Sequence, residues 1–126
     1  MELNDLTYKI RGAFFEVYNQ LGPGLLESVY EKALMKEFEM QRIKAKSQVE
    51  LPVIYKGEYL ELGFRLDIMV EHKVIVEIKS VKELEDVHKK QLLAYLKLSE
   101  IQVGFLINFN TSFLKDKESI VRIING

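Results

Sequence analysis

The chain has 126 residues, of which 48% are hydrophobic and 29% charged, the proportions of an ordinary globular protein. This length predicts one domain with one sizeable core. The 18 basic and 19 acidic residues give a net charge of −1. The strong basic excess of a typical nucleic-acid-binding domain is therefore missing, although a local basic patch can act in a neutral chain. The absence of cysteine excludes disulfide bonds and thiolate metal sites.

The first residues lack the charged-then-apolar pattern of a signal peptide. No apolar run approaches the ~20 residues that a membrane-spanning helix needs. We therefore expect the cytoplasm as the compartment and no membrane partner. No internal repeat, low-complexity segment or linker interrupts the chain, so residues 1–126 are expected to form a single domain.

Hydrophobic periodicity divides the chain into helices and strands. Apolar residues in steps of three and four predict helices, and Gly22-Pro23-Gly24 separates the first two. Alternating apolar residues predict three strands, and Pro52 places the first of them at a sheet edge or marks a bulge. In chain order, the predicted elements are helix 5–21, helix 25–41, strand 46–55, strand 60–70, strand 74–79, helix 84–98, strand 103–109, and a last strand or short tail element over 117–124.

The order of these elements predicts a mixed sheet. Three consecutive strands with short turns favour an antiparallel meander. The helix before strand 103–109 favours a crossover connection, which adds that strand in parallel orientation. We therefore expect an α/β fold in which helices pack against a mixed sheet.

The predicted hairpin over 62–80 carries the residues that suggest chemistry. If its turn is centred on His72, Asp67 lies opposite Glu77 with Cβ atoms ~4.5–5.5 Å apart. A two-residue loop would instead place the two carboxylates on opposite faces, because the side-chain period of a strand is two. The alternation favours the odd-length loop, since only that register joins the apolar faces of both strands.

Two carboxylates this close suit a divalent cation. Their repulsion costs on the order of a kcal/mol or more near a protein surface, and a cation between them reverses its sign. Mg²⁺ prefers oxygen ligands and keeps several waters, so Asp67, Glu77 and a strand carbonyl such as that of Ile78 can hold it. Lys79, on the same face as Glu77, can orient or deprotonate a water or neutralise charge on a phosphate. The alternative is a solvated sheet face with cross-strand ion pairs.

Two helices carry further candidates. Glu27 supplies a third carboxylate if its helix packs beside the hairpin; the alternative is that the helix dipole favours an acid in the first turn. Gln91 and Tyr95 project from one helix face and can contact a phosphate, a base or Lys79. His88 lies on the same stripe. The alternatives are a polar fringe with a packed tyrosine ring and, for His88, a solvated or capping residue.

Taken in order, these motifs resemble those of the PD-(D/E)XK nuclease superfamily, and of its small GxxExxY branch in particular. The resemblance covers residues 6–110, and one departure is Leu66 where the superfamily often has proline. The order of the motifs is also similar to that of RecB-type nucleases. The residues that carry the resemblance are Gly24-Leu25-Leu26-Glu27-Ser28-Val29-Tyr30, Asp67, Glu77-Ile78-Lys79 and Gln91-Leu92-Leu93-Ala94-Tyr95.

The resemblance implies a restriction-endonuclease-like fold with an α-β-β-β-α-β core, preceded here by an extra N-terminal helix. It also implies a role for each matching residue. These are Glu27, Asp67 and Glu77 as metal ligands, Lys79 as the catalytic lysine, and Gln91 and Tyr95 as supporting or substrate-contact residues.

The sequence thus predicts a nuclease that depends on Mg²⁺ or Mn²⁺ and acts on DNA or, as a second choice, RNA. One alternative is a nuclease-like module that binds nucleic acid or protein without cleaving. The near-neutral charge favours that alternative, and the intact acidic set with Lys79 disfavours it. Another is a purely structural domain with polar fringe residues. A second copy of the chain or a protein partner also stays open.

Overall fold

A computed structural model describes residues 1–126 as three helices and one five-stranded sheet. The predicted order of helices and strands is confirmed, and the ends of the elements lie within three residues of the predicted ones. The tail forms a strand. The elements are α1 (Leu3–Leu21), α2 (Glu27–Met40), β1 (Ala45–Tyr55), β2 (Glu58–Val70), β3 (Val74–Lys79), α3 (Asp86–Ser99), β4 (Val103–Asn108) and β5 (Ile120–Ile124).

The sheet is mixed, as predicted. Its strands lie in the order β1-β2-β3-β4-β5, with β3 and β4 parallel and every other neighbouring pair antiparallel. Helix α3 forms the crossover between the two parallel strands. The architecture confirms the expected restriction-endonuclease-like core, with α1 as the extra N-terminal helix. None of the three helices combines the length and the apolar character that a membrane crossing requires.

The helices cover the two faces of the sheet. Helices α1 and α2 pack on one face, where Phe14 and Tyr30 belong to a core of 20 buried residues. Helix α3 packs on the other face, where Leu92 belongs to a core of eight buried residues. All six residues of β4 are buried, as its continuous apolar run predicted. This removal of apolar area from water on both faces is the main stabilising contribution to the fold.

The outer half of the β1–β2 hairpin leaves the core. Alternation places Leu60, Leu62 and Phe64 on one apolar face, but their side chains are 44%, 70% and 41% exposed. The helices bury only the half of β2 that begins at Leu66. The register shifts beside Pro52, so this residue lies both in an edge strand and at an irregularity.

Candidate active site

Strands β2 and β3 form a fork. Their turn is the three-residue segment 71–73, and the register pairs Ile68 with Val76. The odd-length loop that the metal-site hypothesis requires is therefore confirmed. Backbone pairing ends at that pair, and Asp67 and Glu77 occupy the next positions, where the two strands separate.

The two carboxylates replace the backbone pairing at the fork. The N–H of Asp67 donates to Oε2 of Glu77 at 2.7 Å, and the N–H of Ile78 donates to Oδ2 of Asp67 at 2.7 Å. Each carboxylate thus satisfies an N–H of the opposite strand through one oxygen. Its second oxygen accepts no hydrogen bond from the protein. The fork therefore presents two carboxyl oxygens that are free to bind a ligand.

Burial changes the acidity of this pair. Glu77 is only 4% exposed, and burial together with the negative charge of Asp67 raises the pKa of its carboxyl to about 8. Burial also raises the pKa of Asp67, against the effect of the Ile78 N–H, which favours the ionised form. The positive charge of Lys79 lowers the pKa of both acids, so its ammonium lies near the same fork. A cation bound here would replace the unfavourable desolvation and repulsion with attraction.

Helix α3 brings Tyr95 to the carboxylates. Its side chain is mostly buried, and burial, followed by the charges of Glu77 and Asp67, raises the pKa of its hydroxyl. The Tyr95 ring lies 5.1 Å from the ring of Phe64, measured between centroids. The structure therefore places this predicted supporting residue beside the candidate catalytic groups.

The other two predicted residues of α3 are Gln91 and His88, and their surroundings differ from those of Tyr95. Gln91 is exposed and makes no side-chain hydrogen bond within the protein, so it is free to contact a ligand. His88 belongs to the capping box of the helix, and its Nδ1 accepts a 2.9 Å hydrogen bond from the N–H of Glu85. A substrate-binding role for Gln91 and His88 stays a prediction, and the helix cap is the contact that His88 makes.

The side chain of Glu27 contacts the residue that follows β3. Its Oε2 accepts a 2.9 Å hydrogen bond from the N–H of Ser80, and Oγ of Ser80 donates to the carbonyl of Leu25 at 3.0 Å. This exchange ties the start of α2 to the residue after β3. No group of three or more His, Cys, Asp or Glu side chains converges closely enough to hold a metal ion. Glu27 as a third metal ligand therefore stays a prediction.

Glu31 is a site residue that sequence reasoning missed. It lies one turn after Glu27 on α2, and its negative charge raises the pKa of both Asp67 and Glu77. Nε2 of Gln48 donates to Glu31 at 2.7 Å, from a β1 position that lies opposite Asp67 and has a left-handed φ of 53°. The spacing of four residues from Glu27 puts both acids on one helix face, and that was the available signal.

Tyr30 fixes the loop that precedes Glu27. Its hydroxyl donates to the carbonyl of Gly22 at 2.6 Å and accepts from the N–H of Leu25 at 3.1 Å. Gly24, in the same loop, has a φ of 96°, which glycine adopts without strain because it has no Cβ. The glycine and the tyrosine of the GxxExxY pattern thus shape the backbone that delivers its glutamate.

Asn108 is a second residue that sequence reasoning missed. It lies beside Lys79 in the parallel register and is 1% exposed. Its Nδ2 donates to the carbonyl of Val81 at 2.9 Å, and its Oδ1 accepts from the N–H of Val81 at 3.1 Å. This two-point contact holds the segment that leaves β3 after Lys79. The sequence signal was one polar residue inside a continuous apolar run.

The donor set fits a hard divalent cation. The free carboxylate oxygens of Asp67 and Glu77, with the backbone carbonyls of the fork, are the ligands that Mg²⁺ and related ions prefer. The chain has no cysteine that would favour a softer metal.

A mixed sheet whose second and third strands part at a half-buried Asp67 and a buried Glu77, with a lysine close by, defines a nuclease-like α/β domain. A family model of the PD-(D/E)XK nuclease superfamily matches residues 4–123, and the chain therefore belongs to that superfamily. Searches of curated proteins and of solved structures gave no significant match. The resemblance drawn from the motifs is thus confirmed at the level of the superfamily.

Proposed function

We propose that the chain is a metal-dependent nuclease that hydrolyses phosphodiester bonds, with DNA ahead of RNA as the substrate, and that it belongs to the GxxExxY branch. The observation that carries the proposal is the fork, where the half-buried Asp67 and the buried Glu77 lie together near the ammonium of Lys79. Membership of a nuclease superfamily supports the same chemistry.

The metal ion would bind the free oxygens of Asp67 and Glu77. Further candidate ligands are the carbonyl of Ile78 and, if its side chain turns away from Ser80, Glu27. When bound, Mg²⁺ or Mn²⁺ supplies Lewis acidity to the phosphate and lowers the pKa of a coordinated water.

The side chains of the fork stabilise the reacting phosphate. In the hydrolysis, an oxygen of water forms a new bond to phosphorus while the bond from phosphorus to the leaving oxygen breaks. Lys79 neutralises the negative charge that develops on the phosphate oxygens. The Tyr95 hydroxyl, whose pKa is raised, stays protonated and can donate a hydrogen bond to the same group.

Cleavage of single- and double-stranded DNA and of RNA, in Mg²⁺ and in Mn²⁺, tests the proposal. We expect metal-dependent cleavage that falls at least ~100-fold in Glu77→Ala and in Lys79→Ala. The matched controls are Glu58→Ala and Lys56→Ala, at the exposed tip of the β1–β2 hairpin, which keep full activity. Circular dichroism verifies that every variant is folded. The proposal is wrong if the wild type cleaves nothing in either metal, or if Glu77→Ala cleaves normally.

A second candidate function is that of a nuclease-like module that binds nucleic acid or protein without cleaving. The position of Glu27 favours it, because its carboxylate lies at Ser80 and no third carboxylate converges with Asp67 and Glu77 closely enough to hold a metal ion. Nucleic-acid binding in the presence of Mn²⁺, with no product after long incubation, would support this candidate over the enzyme.

A further inference from the structure

A cavity of about 660 Å³ lies between α2 and the β1–β2 pair. Its lining combines exposed ammonium groups with buried or half-buried apolar side chains, so a cationic rim surrounds an apolar floor. We name it the lysine pocket. The residues that define it are Lys32, Lys36, Lys44 and Lys46 at the rim and Met35 and Ala45 at the floor.

The ammonium groups of the lysine pocket are mostly unpaired. Lys36 forms an exposed ion pair with Glu39 at 3.4 Å, whereas Lys32, Lys44 and Lys46 form none. The lining contains four lysines and only two carboxylates. The pocket therefore concentrates positive charge in a chain whose net charge is −1. Such a concentration attracts an anion over a distance set by the Debye length, ~10 Å at 0.1 M salt.

The lysine pocket lies near the candidate active site along both α2 and β2. On α2, Met35 lies four residues, ~6 Å of helix rise, beyond Glu31. On β2, Met69 follows Asp67 by two residues, and Lys46 lies opposite Met69 in the register of β1 with β2. Two strand residues span ~6–7 Å, so a linear ligand with a phosphate at the fork would reach this pocket with its adjacent nucleotide.

We propose that the lysine pocket binds a nucleotide of the substrate strand next to the scissile phosphate, an inference that rests on the proposed nuclease function. The base packs on the apolar floor of Met35 and Ala45. The phosphate contacts the ammonium groups, which act as point charges toward phosphate. A ligand with both an apolar ring and an anionic group matches the two halves of the lining. A base can reach the apolar floor only when it is not stacked in a duplex. The pocket therefore selects single-stranded nucleic acid or frayed duplex ends.

The test measures binding in EDTA, where no cleavage occurs. Fluorescence anisotropy follows a fluorescein-labelled oligothymidylate and compares Lys44→Ala/Lys46→Ala with Lys9→Ala/Lys97→Ala, which removes the same charge from exposed positions of α1 and α3. We expect the pocket variant to weaken binding about tenfold and to flatten the slope of log affinity against log salt by about 1.4, or 0.7 per lost contact. The control should change affinity less than about twofold. Equal effects in the two variants would overturn the proposal.

Competition identifies the ligand. Thymidine monophosphate should displace the oligonucleotide at lower concentration than inorganic phosphate, because only the nucleotide can use the apolar floor. Equal potency of the two competitors would overturn the nucleotide assignment. Cleavage by the wild-type protein in Mg²⁺ or Mn²⁺ judges the nuclease proposal separately, since the binding measurements use no metal.

Discussion

The backbone N–H of Asp67 on β2 donates a 2.7 Å hydrogen bond to Oε2 of Glu77 on β3, so the β2 backbone holds the carboxyl group of β3. The return bond, from the N–H of Ile78 to Asp67, has the same length. Neither carboxylate can turn without breaking a bond to a buried backbone group. The two side chains are therefore held in place before any ligand binds, which is the condition for effective electrostatic catalysis.

The metal-free protein should lose stability as pH rises from about 4.5 to about 8. In the unfolded chain Glu77 ionises near 4.5, whereas the folded protein keeps the proton up to about 8. The folded state therefore binds more protons in this window, so the free energy of unfolding is highest below it and falls across it. We expect a loss of a few kcal/mol, at ~1.4 kcal/mol per pKa unit. Guanidinium chloride titrations in EDTA at a series of pH values measure it.

Glu77→Gln isolates this contribution. The amide oxygen can accept the same hydrogen bond from Asp67, but it does not ionise, so the loss of stability with pH should become smaller. Glu83→Gln, at an exposed position, is the matched control and should keep the wild-type slope. Asp116, whose pKa is lowered by its hydrogen bond with Arg11, contributes with the opposite sign at acid pH in all variants. Parallel curves for wild type and Glu77→Gln would contradict the prediction.

Binding of Mg²⁺ or Mn²⁺ should release a proton at neutral pH. Glu77 holds a proton below about 8 in the metal-free protein, and the cation can bind only the ionised carboxylate. We expect up to one proton per ion at pH 7 and an affinity that increases with pH up to about 8. Isothermal titration calorimetry in buffers with different ionisation enthalpies measures the proton. A heat that does not depend on the buffer, or unchanged release in Glu77→Gln, would count against the assigned ligands.

Sequence reasoning reached the fold and the acidic pair because both follow from local periodicity. The alternation of β2 and β3 determined the register, and the register placed Asp67 opposite Glu77. The crossover helix before β4 gave the parallel pair. These inferences need only neighbouring strands and short turns, which the chain encodes within a few residues.

What sequence reasoning missed depends on contacts between distant segments. The bond of Glu27 with Ser80 joins residues 53 positions apart, and no local pattern distinguishes it from a metal-ligand geometry. The bond of Glu31 with Gln48 depends on a left-handed residue inside a strand. The exposure of Leu62 depends on where the helices end over the sheet, which alternation within β2 does not encode.

Tyr30→Phe should destabilise the protein and lower the proposed nuclease activity. The hydroxyl satisfies the carbonyl of Gly22 and the N–H of Leu25, and its removal leaves both without this partner. We expect a cost of about 1–3 kcal/mol in urea unfolding. The phenylalanine keeps the ring stacked on Phe109, whose centroid lies 4.3 Å away. The expected loss of stability therefore comes from the hydrogen bonds and not from the packing of the ring. Tyr8→Phe is the matched control, because Tyr8 is 77% exposed and forms no hydrogen bond through its hydroxyl. Equal stabilities of the two variants would contradict this role.

Asn108→Ala should reduce the turnover number of the proposed nuclease by loosening the segment after Lys79. Two hydrogen bonds to the backbone of Val81 are lost, at a cost of about 1–3 kcal/mol in the free energy of unfolding. Because Asn108 lies in β4 beside Lys79 and does not line the lysine pocket, oligonucleotide affinity in EDTA should stay near wild type. Asn110→Ala is the control, since its side chain makes only a 3.4 Å contact with Val81. Wild-type turnover in a folded Asn108→Ala protein would rule out this positioning role.

Gly104→Ala should destabilise the contact between α3 and β4. A Cβ at this position would lie 2.9 Å and 3.1 Å from the two terminal methyl carbons of Leu92, which is fully buried. Overpacking of this kind costs about 1–3 kcal/mol.

Leu92→Ala alone should cost about 2–5 kcal/mol because it leaves a cavity. In the double variant the new methyl group occupies part of that cavity, so the two costs should sum to more than the measured loss. Urea unfolding of the four proteins gives the coupling energy, and additivity within ~0.5 kcal/mol would show that the two positions do not meet as described. Gly12→Ala, whose Cβ would meet nothing within 4 Å on helix α1, is the control and should stabilise the protein by ~0.5–1 kcal/mol.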